Sequence, residues 1–301
     1  MSLKKIVNNL ITLSIIVFIF LYLFNNREIL EEVNYNWLFI LGILFFSIAR
    51  YLISSLIDIK LFENVNVNLK FYESLNLTII NTLGNIAAPM KVGSGLKVSY
   101  LKTKHGLSIY KYFVVNTHYA IFHLFISMVI LLFVILANEE KYQYEMLISI
   151  TTLFLITISL FLVIKNFDFS KYKNKINKYI FDLISVLNFN VVSKNIFQII
   201  FYSMLHLLFG FINLYLIFRL IGLNNMFVES IYFNLITTLS SVVTVTPGNI
   251  GILELIHIIL KDLYSLNSGQ VVFVSIISRI VSLISLLMLN VFSKITKNDL
   301  L

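Results

Sequence analysis

The sequence predicts an all-α, polytopic membrane protein with about six transmembrane helices and two re-entrant broken-helix hairpins arranged as an inverted repeat. Three observations carry this prediction. Hydrophobic residues make up 58% of the chain and charged residues only 13%, and the mean hydropathy is +0.89, far above soluble domains. Several apolar runs are about 20 residues long. The chain has 2 prolines, and each interrupts an apolar segment.

The apolar runs define the spans. A hydrocarbon core of about 30 Å needs about 20 apolar residues in a helix, and such runs occur near residues 6 to 24, 37 to 57, 111 to 136, 145 to 165, 196 to 221 and 269 to 293. The segments between them are too short for an additional catalytic domain. We therefore predict a single transmembrane domain over residues 1–301.

The two prolines predict the re-entrant hairpins. Pro89 separates an entering piece, residues 73–88, from a returning piece, residues 94–104, and Pro247 separates residues 226–245 from residues 250–264. Each piece is too short to span the membrane alone. Two spans, one broken segment and one further span occur twice, so we predict repeats over residues 1–138 and 139–301. An odd number of crossings per repeat makes the second repeat inverted, as in many secondary transporters.

The net charge of +8 reflects topology. Most of the 23 lysines and arginines fall in segments that share one side of the predicted membrane, which places both termini in the cytoplasm of a multi-pass cell-membrane protein. Nucleic acid is not a predicted partner. The sequence has no cysteine, no histidine pattern typical of a metal site and no ATP-binding motif, so we predict no metal, no cofactor and no catalytic residue.

Charged residues inside apolar segments indicate a binding site. Arg50 and Arg279 lie within predicted spans, where an arginine costs at least about 2.5 kcal/mol. Glu254 follows the second break and predicts an ion pair with Arg279 or with Arg50. The arginine left over predicts binding of a substrate phosphate. Unpaired N–H groups after Gly248, and around Gly93, also favour an anion.

Other polar residues leave alternatives open. Glu254, His257 and Lys261 share one helical face, which suits either a proton relay or a fixed hydrogen-bonded pair. Asn116, Tyr119 and His123 of the third span, and His206 and Asn213 of the fifth, suit either interhelical hydrogen bonds or substrate contact. The full set of predicted substrate-binding residues is Arg50, Asn85, Lys91, Gly93, Ser94, Lys97, His118, Pro247, Gly248, Asn249, Gly251, Glu254, His257 and Arg279.

The second break resembles a known family motif. Residues 246–251, TPGNIG, with Glu254 are similar to the PGGIGxxE motif of the lysylphosphatidylglycerol synthase transmembrane region family, with Asn249 replacing one glycine. Arg279 occupies the position of the arginine usual in the family's final helix. The first break is similar to a second family element at Pro89, Lys91, Gly93, Ser94, Lys97 and Leu101, where Ser94 replaces a glutamate and lysines replace arginines. His118 stands where the family usually has an arginine.

The resemblance implies a flippase-like protein that moves lipids between leaflets. Members that aminoacylate phosphatidylglycerol carry an additional soluble domain, which residues 1–301 lack, so lipid aminoacylation is not predicted. We expect transport of an anionic phospholipid or a polyprenyl-linked lipid, with Lys91 and Lys97 admitting the head group from the cytoplasm. The alternatives are an integral membrane transferase acting on a lipid-linked sugar, with Asp58 and Glu63 as its loop carboxylates, and a non-transporting accessory of envelope synthesis. Predicted partners are membrane lipids, a second copy of the chain or envelope-biosynthesis enzymes.

Overall fold

The protein is helical throughout the part that the structure describes. The computed structural model describes residues 36–137, 195–224, 226–240 and 246–298, and no strand occurs among them. The helices in chain order are α1 (Trp37–Glu63), α2 (Phe71–Ala87), α3 (Val92–His105), α4 (Ile109–Ala137), α5 (Ile196–Leu220), α6 (Phe227–Ser240), α7 (Ile252–Ile259) and α8 (Ser268–Asn298). The predicted all-α membrane fold is confirmed.

Four of these helices are long and apolar enough to cross a membrane. They are Trp37–Glu63, Ile109–Val134, Ile196–Leu220 and Ser268–Ser293, and each coincides with a predicted span. The spans predicted near residues 6 to 24 and 145 to 165 lie outside the described residues. The shorter helices α2, α3, α6 and α7 flank the two prolines.

The described residues fall into two compact units. The first unit takes in the described parts of Met1–Ala49, Ile79–Ser94 and Phe209–Leu301, and the second takes in those of Arg50–Thr78 and Gly95–Leu208. Large apolar side chains fill the core of the first unit, where Ile43, Phe218, Phe233, Tyr264 and Val271 are almost completely buried. Close packing of this kind fixes the helices on either side of the second break.

Both proline breaks share one backbone geometry. Pro89 is followed by Met90 (φ 56°) and Lys91 (φ 55°), and Pro247 is followed by Gly248 (φ 57°) and Asn249 (φ 56°). Two consecutive left-handed residues turn the chain sharply after each proline. Glycine adopts this conformation freely and asparagine tolerates it, whereas other residues pay roughly 1–2 kcal/mol each. The first break therefore holds strain that the second largely avoids.

The helices before the two breaks also begin alike. Residues 71–74, FYES, open α2, and residues 227–230, FVES, open α6. The Ser74 hydroxyl donates to the carbonyl of Ser55 (2.8 Å), and the Ser230 hydroxyl donates to the carbonyl of Phe211 (3.4 Å); each acceptor lies 19 residues earlier in the preceding span. The same contact thus ties each short helix to the span before it.

Glu73 fixes the end of α3 to the start of α2. Its carboxylate accepts hydrogen bonds from Tyr100 and His105, both at 2.8 Å, and pairs with Lys104 at 2.9 Å. Burial opposes ionisation of this carboxyl, but the bonds from His105, Lys104 and Tyr100 outweigh it and lower the pKa of Glu73 from 4.5 to about 2. The charged form of Glu73 therefore stabilises the α2–α3 hairpin.

Candidate functional site

One cavity of about 250 Å³ in the first unit brings the two proline breaks together. Gly248 of the second break approaches the backbone of Ile86 at the end of α2, where an added Cβ would lie 3.6 Å from the Ile86 Cα. The cavity is lined by side chains from both interrupted segments: Thr82, Asn85, Ile86, Lys91, Thr237, Thr246, Gly248, Asn249 and Leu253. Of the predicted site residues, Asn85, Lys91, Gly248 and Asn249 lie here.

Sequence reasoning missed the three threonines of the cavity. Thr82 lies one turn before Asn85 on the same face of α2, Thr237 lies near the end of α6, and Thr246 directly precedes Pro247. A search for small hydroxyl residues within about three helical turns of each break finds all three. Six of the nine lining residues carry a polar side chain, one of them a lysine, although apolar atoms make up most of the cavity surface.

Asn249 is anchored at the cavity wall. It is 7% exposed, and its side-chain Nδ2 donates to the carbonyl of Ser240 (3.3 Å). Its Oδ1 is buried without a hydrogen-bond partner among the described residues. Asparagine at this left-handed position keeps the turn that a glycine gives and adds an amide group to the site.

Glu254 holds the second break in two ways. Its Oε2 accepts the backbone N–H of Gly251 (2.7 Å), which caps α7, and its Oε1 pairs with Nη1 of Arg279 on α8. The sequence left the partner of Glu254 open between two arginines, and the structure pairs it with Arg279. The N–H groups of Asn249 and Ile250 bond back to Thr246 and Pro247. The backbone donors expected to form an anion cradle here are therefore largely satisfied internally.

Arg279 keeps one donor unused. The side chain is 20% exposed, and its Nη2 is buried without a hydrogen-bond partner among the described residues. Glu254 neutralises the charge of Arg279. What Arg279 can offer to an additional group is therefore a hydrogen bond and not a net positive charge.

His257 is fully buried in the first unit. Its ring nitrogens are hydrogen-bonded to the hydroxyls of Thr237 (2.9 Å) and Tyr264 (3.0 Å), and its ring stacks on Phe233 with 3.7 Å between centroids. Of the two alternatives, these contacts favour a fixed hydrogen-bonded position over a relay through Glu254. His257 supports the site through Thr237, whose side chain lines the cavity.

The glycines of the first break serve helix packing. Residues 93–95 lie inside the first turns of α3 instead of in a loop before it. A Cβ on Gly93 would meet the carbonyl of Asn81 and lie 2.8 Å from the Asn85 nitrogen, so only glycine permits this approach of α3 to α2. Ser94 donates from its hydroxyl to Asn81 Oδ1 (2.9 Å) and from its backbone to Asn85 Oδ1 (3.3 Å). These contacts use the backbone donor that an anion would need.

Lys97 belongs to a buried ion pair in the second unit. It is 4% exposed, and its Nζ lies 2.6 Å from Asp58 Oδ2 and 5.3 Å from the centre of the Phe62 ring. Asp58 also accepts the Thr78 hydroxyl (3.2 Å). The expectation that Asp58 lies in a loop is wrong, because α1 continues to Glu63. The described residues therefore contain two buried carboxylates, Asp58 and Glu254, and each is paired with a basic side chain.

Two further predicted site residues, Arg50 and His118, are not among the residues that line the cavity. Arg50 belongs to the second unit. The side chain of His118 lies outside the described residues, although its backbone is part of α4. Among the described residues there is no group of three or more His, Asp or Glu side chains that could hold a metal ion.

The comparisons with known proteins identify the family. The family model described as lysylphosphatidylglycerol synthase TM region matches residues 7–289. No curated protein and no solved structure matches the chain. The match spans all eight helices almost completely and includes both proline breaks. The chain therefore belongs to the lysylphosphatidylglycerol synthase TM region family.

Proposed function

We propose that this protein is a flippase-like transporter that moves an anionic phospholipid or polyprenyl-linked lipid between leaflets, and that its head group binds in the cavity between the two breaks. The observation that carries the proposal is the cavity itself, which is about 250 Å³ in volume and to which both interrupted segments contribute polar side chains beside an apolar surface. Such polar, irregular backbone is tolerated inside apolar helices only where it is buried in protein or lines a cavity.

The charges around the cavity favour an anionic head group. Lys91 supplies a positive charge in the lining. Behind the second break, Glu254 neutralises Arg279 without adding net negative charge. Among the described residues that line the cavity, the only charged side chain is thus a cation, and an electrostatic attraction for phosphate is stronger there than in water because the surrounding dielectric is low.

An inverted repeat would give this cavity a transport mechanism. The matching left-handed turns after Pro89 and Pro247, and the matching serine bonds spaced by 19 residues, support two copies of one unit. Inverted repeats place the substrate between related halves that rock alternately toward each side. In this proposal both breaks are re-entrant hairpins and both termini are cytoplasmic.

The transferase alternative gains no support from its proposed carboxylates. Asp58 is paired with Lys97 (2.6 Å) and Glu63 with Lys60 (3.0 Å), whereas a metal-assisted transferase needs carboxylates that converge on an ion. An accessory role without transport requires no particular lining of the cavity. One liposome experiment distinguishes transport, transferase activity and an accessory role.

The test is lipid movement in liposomes that contain the purified full-length chain. Fluorescent phosphatidylglycerol and phosphatidylcholine are compared by chemical quenching of the outer leaflet. We expect protein-dependent movement of phosphatidylglycerol, slowed about tenfold by Lys91→Gln, because one charge-assisted hydrogen bond contributes about 1.5–3 kcal/mol. Lys102→Gln removes a lysine that is exposed on α3 and serves as the matched control.

Four outcomes would contradict the proposal. Equal movement of phosphatidylcholine would exclude selection for an anionic head group. Unchanged phosphatidylglycerol movement in Lys91→Gln would exclude the cavity as the binding site. When the liposomes also contain a lipid-linked sugar, a covalent change in that sugar without lipid movement would favour the transferase, and neither change nor movement would favour the accessory role.

A further inference from the structure

A second cluster of polar side chains lies within the transmembrane helices of the second unit, and the proposed function does not use it. Arg50 comes from α1, Tyr119 and His123 come from α4, and Ser203 and His206 come from α5. The spacings i, i+4 on α4 and i, i+3 on α5 put each pair on one helical face. The rings of Tyr119 and His123 are 5.4 Å apart, and those of His123 and His206 are 5.7 Å apart.

Polar atoms of this cluster are buried without partners among the described residues. They are Nε of Arg50, Nε2 of His123 and Nδ1 of His206. His123 is only 8% exposed, and Ser203 is fully buried with the Tyr119 hydroxyl next to it. An unpaired buried polar group costs about 1–3 kcal/mol, so three in one place indicate a missing partner and not a packing accident.

The charges of the second unit define that partner. The nearby carboxylate, Asp58, is already neutralised by Lys97. No ion pair to Arg50 occurs among the described residues, although its charge acts on Tyr119, His123 and His206. Within the part of the chain that the structure describes, the positive charge of Arg50 therefore has no counterion.

The available groups are suited to an anion. Arg50 Nε–H, the hydroxyls of Ser203 and Tyr119, and an imidazole N–H in the appropriate tautomer are all donors. A metal cation would meet the imidazoles but would be repelled by the guanidinium. We infer that Arg50, Tyr119, His123, Ser203 and His206 form an anion-binding site for a single small anionic group, either a free anion such as chloride or phosphate, or the phosphate of a lipid.

The test measures anion binding by the purified full-length chain in an uncharged detergent, with gluconate as the only bulk anion. Thermal unfolding is followed during titration with sodium chloride, sodium phosphate or phosphatidylglycerol in mixed micelles. We expect one of these probes to raise the unfolding temperature in a saturable manner. A free anion acting without lipid assigns the site to free anions, and an effect of phosphatidylglycerol alone assigns it to lipid phosphate.

Variants locate the effect. We expect Arg50→Gln to weaken the binding of the active probe about tenfold, since a charge-assisted bond is lost. Arg50→Lys keeps the charge and should weaken binding less. Arg219→Gln is the matched control, because that arginine lies in the first unit with its guanidinium 5.6 Å from the Phe39 ring. If Arg50→Gln does not fold, His123→Phe removes one ligand and leaves the charge, and it should weaken binding severalfold.

The inference fails if no probe stabilises the wild-type chain saturably, or if Arg50→Gln or His123→Phe binds the active probe as tightly as Arg219→Gln does. It is independent of the proposed function. Lys91→Gln should slow lipid movement about tenfold and keep its affinity for a free anion, whereas Arg50→Gln should weaken the binding of that anion, so the two proposals succeed or fail separately.

Discussion

Substituting Glu254 by glutamine tests what the buried ion pair contributes to the second break. Glutamine has nearly the same shape and keeps an oxygen that accepts the Gly251 N–H, so the cap on α7 is retained. The change removes the negative charge opposite Arg279 and little else. Glu254→Ala additionally removes the cap, which contributes about 1 kcal/mol in typical helices.

The magnitude follows from burial. Breaking a buried pair by removing one partner costs about 3–5 kcal/mol, because the other charge is left uncompensated. The side chains of Arg279 and Glu254 are 20% and 9% exposed, so partial hydration places the expected loss near the lower limit, at about 3 kcal/mol. For a chain of 301 residues this corresponds to a fall in Tm of about 5 °C.

The assay is thermal unfolding of the purified variants in detergent, followed by the fraction that remains monodisperse after heating. Glu63→Gln is the control, because it makes the same change in the Lys60–Glu63 pair, whose side chains are 27% and 28% exposed. Exposed pairs contribute at most about 1 kcal/mol. The double variant Glu254→Gln with Arg279→Gln removes both charges and should recover about 2 kcal/mol of the loss.

Two results would refute the reasoning. If Glu254→Gln is no less stable than Glu63→Gln, the ion pair does not hold the break. If the double variant loses as much as the sum of the single variants, the two charges are not coupled.

Three further predictions use the same unfolding assay. Gly93→Ala should lower the free energy of unfolding by about 1–3 kcal/mol, because the added Cβ overlaps the backbone of α2. Gly95→Ala should raise it by up to about 1 kcal/mol, because nothing lies within 4 Å of its added Cβ. Equal effects of the two changes would contradict the packing argument. Met90→Gly should raise the free energy of unfolding by about 0.5–1 kcal/mol, because glycine adopts the left-handed conformation of this position (φ 56°) without strain. Val92→Gly at the start of α3 should lower it. If both variants lose stability, Met90 is not strained. Because the pKa of Glu73 is lowered from 4.5 to about 2, the stability that its charged form contributes is complete above pH 4.5 and is lost as the pH falls toward 2. Glu73→Gln should therefore flatten the dependence of Tm on pH in this range. A profile identical to that of the wild-type chain would contradict the prediction.

The sequence was most informative where a pattern is local. Apolar length located four spans within a few residues of Trp37–Glu63, Ile109–Val134, Ile196–Leu220 and Ser268–Ser293, since hydrocarbon thickness sets that length directly. The prolines likewise located both breaks, because proline lacks the N–H that continues a helix.

Contacts between distant segments were not predictable in the same way. Lys97 pairs with Asp58, 39 residues earlier, and the polar residues from Lys60 to Asn64 made the end of α1 look like a loop. His257 shares a helical face with Glu254, yet its hydrogen bonds go to Thr237 and Tyr264. Periodicity shows which residues share a face, but not which helix that face meets.

The Glu254–Arg279 pair has a consequence for the synthesis of the protein. Arg279 lies near the middle of the span Ser268–Ser293 and leaves the ribosome 25 residues after Glu254. A lone arginine at that depth opposes membrane insertion by at least about 2.5 kcal/mol. Because the carboxylate is made first, it is already available when the arginine arrives, and the late helix can enter the bilayer as half of a neutral pair.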